Sequence, residues 1–418
     1  MKTILLAIAI FPLLLKANKY YVSPSGKDSN PGTINKPFRS WEKLRDLLKP
    51  GDTCFIRGGM YSPSYVPGKS TTLVNWWNLN GTASSHIVIK NYRNENPILD
   101  FKGFVQPTFT VGLFIYKCSF IDIIGVTVTG LTQNSPKAIE AIRVDGCNNV
   151  TLINCSAHDN QGTGFRIVNG NNTTLLNCDA YSNGDPYNDG GGTYGNADGF
   201  DLTTGIVHLS GCRAWQNSDD GFDCYYNDSH VYFNNCWSFS NGFIPGTRQK
   251  GGNGMGFKWG ISTHSFPSAI LRTFTNCLSV CNRKYGYDQN TAKHIAEFYN
   301  CTSYGNVQGW AVNYAMGGER NEPNILRNCV SFNDGLAVSI FTDIVHDHNS
   351  WNGYKPSAAS FVSADTAQLS KPRKADGGLP DITFLHLSPG SNLIGKGIRG
   401  VDLGAFRFAP SRQGANLP

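Results

Sequence analysis

The sequence predicts an all-β chain, a right-handed parallel β-helix with ladders of Asn and Cys, on three observations. The first is a phrase, Asn-Cys-x-Ser/Ala-x-x-Asn, which recurs as Asn154-Cys155 to Asn160, Asn177-Cys178 to Asn183, Asn235-Cys236 to Asn241, Asn276-Cys277 to Asn282 and Asn300-Cys301 to Asn306. Two variants belong with it: Gly211 precedes Cys212, and Asp334 ends the copy at Cys329. The second is the spacing, since these Cys lie 23, 34, 24, 41, 24 and 28 residues apart. A basic period near 24 with insertions signals a solenoid. The third is the content of each period, short β-branched and aromatic runs such as Val150-Thr151-Leu152-Ile153 and Val231-Tyr232-Phe233 between clusters of Asn, Gly, Asp and Ser. Those are strands and turns, with no room for helices of ten residues. Leucine-rich repeats share the period, but their Leu pattern is absent.

In chain order, Met1-Lys2 and the apolar run Ile4 to Leu15 read as a signal peptide over 1–17, which implies export to the periplasm, the cell surface or the medium. The run is too short to span a bilayer, and no later segment reaches the ~18 apolar residues of a membrane helix. Residues 18–418 then form one β-helix domain. Ser40 followed by Trp41, Leu44, Leu47 and Leu48, with Pro50-Gly51 as a stop, predicts a short N-terminal capping helix over strand edges that need cover. Gly51 to Tyr61, His86 to Tyr92 and Lys117 to Gly130 read as less regular early coils, and the clearest coils span about 114–350. About 351–418 is expected to cap the C-terminal end: Ser357 to Asp376 loops over the outside, and Leu393-Ile394 and Gly400 to Phe408 are late strands.

Export would suggest disulfides among the 12 Cys. Their place in the repeat predicts instead an inward ladder of small apolar side chains, with the repeated Asn hydrogen-bonded at a bend. Composition narrows the function classes. Only 16% of residues are charged and Gly numbers 46, which argues against a helical bundle, while 40% hydrophobic and 12% aromatic residues argue against disorder. A net charge of +6, scattered along the chain, gives no basic face for nucleic acid, and no stable membrane span is expected of what reads as a monomer.

A second ladder lies further along each coil, a Gly followed by an aromatic residue: Gly164-Phe165, Gly199-Phe200, Gly221-Phe222, Gly256-Phe257, Gly286-Tyr287 and Gly309-Trp310. Alignment on it places Arg166, Asp201, Asp223, Lys258, Asp288 and Ala311 in one column. Asp198, Asp219, Asp220 and Asp223 then fall on two adjacent coils, with Lys258 one coil further on. Carboxylates packed so closely repel by kilocalories unless a cation sits among them, and an all-oxygen cage is what Ca²⁺ requires. Asp and Asn also make turns, which explains one or two of these acids but not their concentration. No His joins them, which disfavours zinc.

The phrases Asn196-Ala-Asp-Gly-Phe200, Ser218-Asp-Asp-Gly-Phe-Asp223 and Asn253-Gly-Met-Gly-Phe-Lys258, followed by Asn282 to Asn290, resemble the polysaccharide lyase family 9 pectate lyases. The opening Lys19 to Leu44 resembles the N-terminal segment common in such β-helix proteins. The resemblance implies a right-handed parallel β-helix with an Asn ladder. It implies Asp198, Asp219, Asp220 and Asp223 as ligands of a catalytic Ca²⁺ and Lys258 as the Brønsted base. Met255, and Asp201 where the family tends to have a small residue, depart from its pattern without removing a ligand or the base.

Such residues suit β-elimination from a 4-linked uronate, so the expected substrate is an acidic pectic polysaccharide, homogalacturonan or rhamnogalacturonan I. Arg248, Lys250, Arg272, Arg283, Lys284 and Tyr287 lie near the base in sequence and are weaker candidates for sugar carboxylates or ring stacking. Two other readings stay open. Asp198, Asp219 and Asp220 would supply paired carboxylates to an inverting polygalacturonase-like hydrolase, although that family's Gly-His-Gly phrase is missing. The other is a non-catalytic surface β-helix binding protein that uses Ca²⁺ for rigidity or adhesion.

Overall fold

The computed structural model describes residues 17–63, 72–106, 108–187, 190–260, 271–290, 295–312, 324–340 and 344–408. All but the last residue of the expected leader lies outside them. The strands stack into three long parallel sheets. Sheet A has 12 strands from Lys19–Val22 to Val345–Asp347, sheet B has 10 from Gly59–Tyr61 to Val330–Phe332, and sheet C has 10 from Thr72–Trp77 to Leu336–Ile340. Each coil visits them in that order, as in Asn148–Ile153, Ser156–His158 and Thr163–Val168, before Asn171–Leu176 re-enters sheet A. This is the predicted parallel β-helix.

The repeated phrase makes two corners. Its first Asn turns the chain from sheet A to sheet B in the left-handed region, where Asn154, Asn177, Asn235, Asn276, Asn300 and Asn328 have φ between 52° and 59°. Asn tolerates this conformation better than most residues, and Gly211, the one substitute, has φ 63°. The Cys that follows points inward and its thiol meets carbonyls of its own and the preceding coil, as Cys155 Sγ does with Ile153 O at 3.4 Å and Ile123 O at 3.5 Å. All 12 Cys are free thiols, and all but the half-buried Cys281 are buried.

The last Asn of the phrase forms the ladder at the corner from sheet B to sheet C. Asn160, Asn183, Asn217, Asn241 and Asn282 each donate Nδ2 to the Oδ1 of the next rung, and Asp334 ends the series by accepting from Asn306. Asn241 is typical: its amide also donates to Ala214 O at 3.1 Å, and its Oδ1 accepts from the backbone N–H of Asn217. Removing one buried rung strands partners on both sides, each costing about 1–3 kcal/mol. Asn241→Ala is therefore expected to lower unfolding free energy by about 3 kcal/mol, read by denaturant titration. A loss below ~0.5 kcal/mol would contradict a structural ladder.

Inside sheet C the second ladder is a continuous stack, with ring centroids 4.8 Å apart for Phe165–Phe200, Phe200–Phe222 and Phe222–Phe257, then 5.1 Å to Tyr287 and 4.9 Å to Trp310. The Gly before each ring fits where a side chain does not. A Cβ on Gly221 would lie 2.1 Å from Ser238 Oγ and 2.7 Å from Gly256 O.

The ends differ from expectation. The N-terminal plug is a five-residue 3-10 helix, Glu42–Asp46, with Trp41 at its N-cap position and no side-chain cap. One turn suffices because Trp41, Leu44 and Leu48 are its buried anchors; Trp41 stacks on Trp76, whose Nε1 donates to Trp41 O at 2.9 Å. At the other end, Leu393-Ile394 and Gly400 to Phe408 form turns and a 3-10 segment, not strands. Trp351, 5.1 Å from Trp310, packs at the end of the aromatic stack together with Val338, which pairs with Trp310 on the next strand. From there the chain runs back along the outside of sheet B, where Phe361, Leu369, Phe384, Leu387 and Leu403 pack on Trp215, Trp237 and Leu278. Arg373 fastens it to Asp179 at 2.6 Å. The apolar outer face of sheet B, built from three-residue strands, explains why this segment covers a flank instead of closing an end. No helix among the described residues is long and apolar enough to cross a membrane.

Candidate active site

The site begins with strand alternation on sheet C. Because the aromatic residues point inward, the residue after each points out. The observed register joins Arg166, Asp201, Asp223, Lys258, Asp288 and Ala311 across successive strands, the column read from the Gly-aromatic phrase. The two largest insertions lie beside it. Residues 184–197, before strand Phe200–Leu202, bring in Asp198, and residues 242–255, before strand Phe257–Lys258, bring in Asn253 and Met255.

These loops are held from within. Asp185, 1% exposed, accepts from the backbone N–H groups of Asn196 at 3.0 Å and Ala197 at 3.2 Å and from Ser218 Oγ at 3.1 Å. Arg283 braces the second loop by donating to Gly252 O at 2.6 Å and Asn253 O at 2.5 Å.

Carboxylate oxygens of Asp198, Asp220 and Asp223 lie within 4.8 Å of one another. Lys258 Nζ stands 2.8 Å from Asp223 Oδ2 and 3.2 Å from Asp220 Oδ2. Asp198 Oδ1 accepts from Asp220 N–H at 3.0 Å, and Asp220 Oδ1 from Met255 N–H at 2.7 Å. Asp220 Oδ2 is buried without an aligned hydrogen bond, its contact with the ammonium lying off the bonding direction. Asp219 stands outside this trio, with one oxygen turned to the N–H of Asn253.

All five side chains are buried, Asp220 completely and Lys258 to 7% exposure. Burial, then neighbouring carboxylates, hold Asp198 and Asp219 well above the usual carboxylate range. Asp223 is pushed up to about 7, burial outweighing the attraction of Lys258. For Lys258 burial acts downward, yet Asp223, Asp220, Asp198 and Asp219 together outweigh it and hold the ammonium well above its ordinary value. The cluster is thus short of positive charge, and Lys258 is what partly supplies it.

A cavity of about 410 Å³ opens over the cluster, lined by Asp198, Asp219, Asp223 and Lys258 together with Glu140 and Arg166 and by Tyr225 and Tyr226. Lys258 Nζ lies 5.2 Å from the Tyr225 ring. Asp201 is engaged by Arg166 at 2.5 Å and Thr203 Oγ1 at 2.7 Å. A second cavity of about 300 Å³, near Trp41 and Tyr61 at the N-terminal end, is remote from these groups.

None of the six weaker candidates lines the larger cavity. Tyr287 is 1% exposed inside the aromatic stack, and Arg272, fully buried, donates to the carbonyls of Trp259, Asn227 and Ser229. Both are corrected to packing and bracing roles, since a buried side chain cannot reach a sugar. Arg248 is exposed over the Phe243 ring at 5.5 Å, Lys250 is exposed where it bridges Phe243, and Lys284 sits 4.6 Å from the Tyr285 ring. Sequence reasoning missed Asp185, Tyr225 and Tyr226 as site neighbours. For Tyr225 a signal existed in its place two residues after Asp223, in the turn that leaves strand Phe222–Asp223.

A family model described as "Pel9A-like, right handed beta helix region" matches residues 20–328. Pectate lyase L of Dickeya dadantii is 31% identical over 408 residues, 93% of this chain and 90% of that protein. Pectate lyase PEL9 of Emericella nidulans is 27% identical over 424 residues, 94% and 97% of the two chains. The crystal structure of pectate lyase Pel9A superposes with a TM-score of 0.79 at 29% identity, covering 94% of this chain and 96% of that one. A structure of a rhamnogalacturonan lyase gives 0.77 at 28% identity, covering 90% and 98%. With the family's repeat running through most of its length and the carboxylate–lysine cluster on its sheet, this chain belongs to the Pel9A-like right-handed β-helix family and is a polysaccharide lyase.

Proposed function

We propose that the chain is an exported, monomeric, Ca²⁺-dependent lyase that cleaves 4-linked galacturonate in pectic polymers by β-elimination. The observation that carries this reading is a lysine amine 2.8 Å and 3.2 Å from two members of a buried carboxylate trio. The residues fit the metal: three close anionic oxygens, an underused Asp220 Oδ2 and no nitrogen or sulfur donor match the all-oxygen preference of Ca²⁺. Asp198, Asp220 and Asp223 would hold it, with Asp219 at the cavity side as the fourth ligand. When bound, Ca²⁺ would withdraw charge from the uronate carboxylate and make its C5 proton easier to remove.

Lys258 then accepts that proton at Nζ. The C5–H electron pair forms the C4=C5 double bond, the C4–O bond breaks, and the departing oxygen takes a proton from solvent. For this Lys258 must be neutral. The carboxylates that hold Lys258 protonated would release that hold if a cation shared their charge, so one cluster would serve both binding and the base. The Tyr225 ring lies 5.2 Å from Nζ, beside the path of the substrate. An inverting hydrolase needs carboxyl groups about 6.5–9.5 Å apart to admit a water. Asp198 and Asp220 lie within 4.8 Å of each other, closer than that range, which favours elimination.

Incubation with polygalacturonate and, separately, rhamnogalacturonan I should give an ultraviolet-absorbing unsaturated uronate on at least one polymer, abolished by a chelator and restored by Ca²⁺. Reducing ends released without that absorbance would reject elimination.

A further inference from the structure

The cavity over the cluster extends towards the N-terminal end of the helix: its lining reaches back through Arg166 to Glu140, and among the described residues none beyond Lys258 contributes. The next two coils in that direction carry aromatic side chains on the same sheet. Phe114 pairs with Arg143 and Tyr116 with Asp145, while one strand further Asn75 pairs with Phe114 and Trp77 with Tyr116. Alternation places Phe114, Tyr116 and Trp77 on the outer face that bears Lys258. Trp77 is 44% exposed, and the half-buried Phe114 and Tyr116 stack at 5.2 Å. Three cations stand over the rings, Arg45 4.8 Å from Trp77, the exposed Lys117 5.0 Å from Tyr116 and Arg143 6.0 Å from Phe114.

We propose that Trp77, Tyr116 and Phe114 form a distal carbohydrate platform that holds the same acidic polysaccharide chain well away from the bond being cut. The inference rests on the lyase reading above for its direction of travel. Phe114 is five strand steps from Lys258 and Trp77 six, roughly 24–29 Å at ~4.8 Å per step. A pyranose adds about one such step, so the platform meets a sugar about five or six units from the scissile bond. Aromatic faces accept the apolar C–H face of a sugar ring, and the cations over them, Lys117 and the Asp46-paired Arg45, suit its carboxylates. The cavity's extension towards these coils, the exposure of Trp77 and the cations over the rings favour this occupant.

The test compares chain lengths. In Trp77→Ala/Tyr116→Ala, KM for the polymer should rise about tenfold with kcat unchanged, whereas kcat/KM on a tetrasaccharide, too short to reach the platform, should stay within twofold. Trp77→Tyr/Tyr116→Phe, which keeps the rings, should restore the polymer KM. Equal losses on both substrates, or an unchanged polymer KM, would overturn the platform. A binding assay separates this from the catalytic reading. The Lys258→Ala chain should be retarded in a gel containing the polymer, and adding Trp77→Ala should reduce that retardation whether or not Lys258 is the base. Unchanged retardation would also overturn it.

Discussion

Replacing Lys258 with alanine should lower kcat by about 10³-fold or more while leaving Ca²⁺ binding intact. General-base catalysis typically contributes 10²–10⁴-fold, and no other described amine lines the cavity beside the trio. Arg166 lines it too, but a guanidinium stays protonated at any working pH and is already held by Asp201. For the same reason Lys258→Arg should be nearly as slow as the alanine variant. The fold should survive, because Lys258 lies on the outer face of sheet C and its removal disturbs none of the three ladders. In the metal-free protein the substitution removes the cluster's internal cation, so calorimetry should show Ca²⁺ binding retained or tightened. An alanine variant with near-normal turnover would take lysine out of the mechanism.

The second large effect concerns the metal. Asp220→Ala or Asp223→Ala should weaken Ca²⁺ binding by at least 100-fold by calorimetry and abolish turnover at ordinary Ca²⁺. Asp220 should be the more damaging: it is fully buried, orders Met255 through its Oδ1 and offers the underused Oδ2. Asp219→Ala should cost less affinity, since Asp219 stands outside the close trio. Equal Ca²⁺ affinity in the Asp220 variant and the parent would place the metal elsewhere.

What the sequence made legible follows from the one-dimensional nature of a solenoid, where each coil meets chiefly its neighbours, so a repeat in sequence is a ladder in space. Alignment of six Gly-aromatic pairs therefore gave the register of Asp201, Asp223, Lys258 and Asp288 without any structure. The same logic locates Arg272 and Tyr287. Tyr287 continues a column of inward Phe, and Arg272 pairs with the buried Val231. Proximity to Lys258 in sequence outweighed that parity and suggested sugar contacts that burial rules out. Where the repeat stops, legibility stops: residues 351–408 have no period, and their course along sheet B depends on Trp215, Trp237 and Leu278 far away in sequence. Asp185 was hidden likewise, because its partners are backbone groups of an insertion that no neighbouring coil repeats.

The most direct test of the account is the pH dependence of the initial rate at saturating Ca²⁺, followed by ultraviolet absorbance of the unsaturated product. A neutral Lys258 acting as base predicts a rate that rises on the alkaline side of neutrality, with an apparent pKa below the ~10.4 of free lysine, and that rise should vanish in Lys258→Ala. An optimum near pH 5, with reducing ends of inverted configuration and no absorbance, would contradict it and make the aspartates catalysts instead of metal ligands.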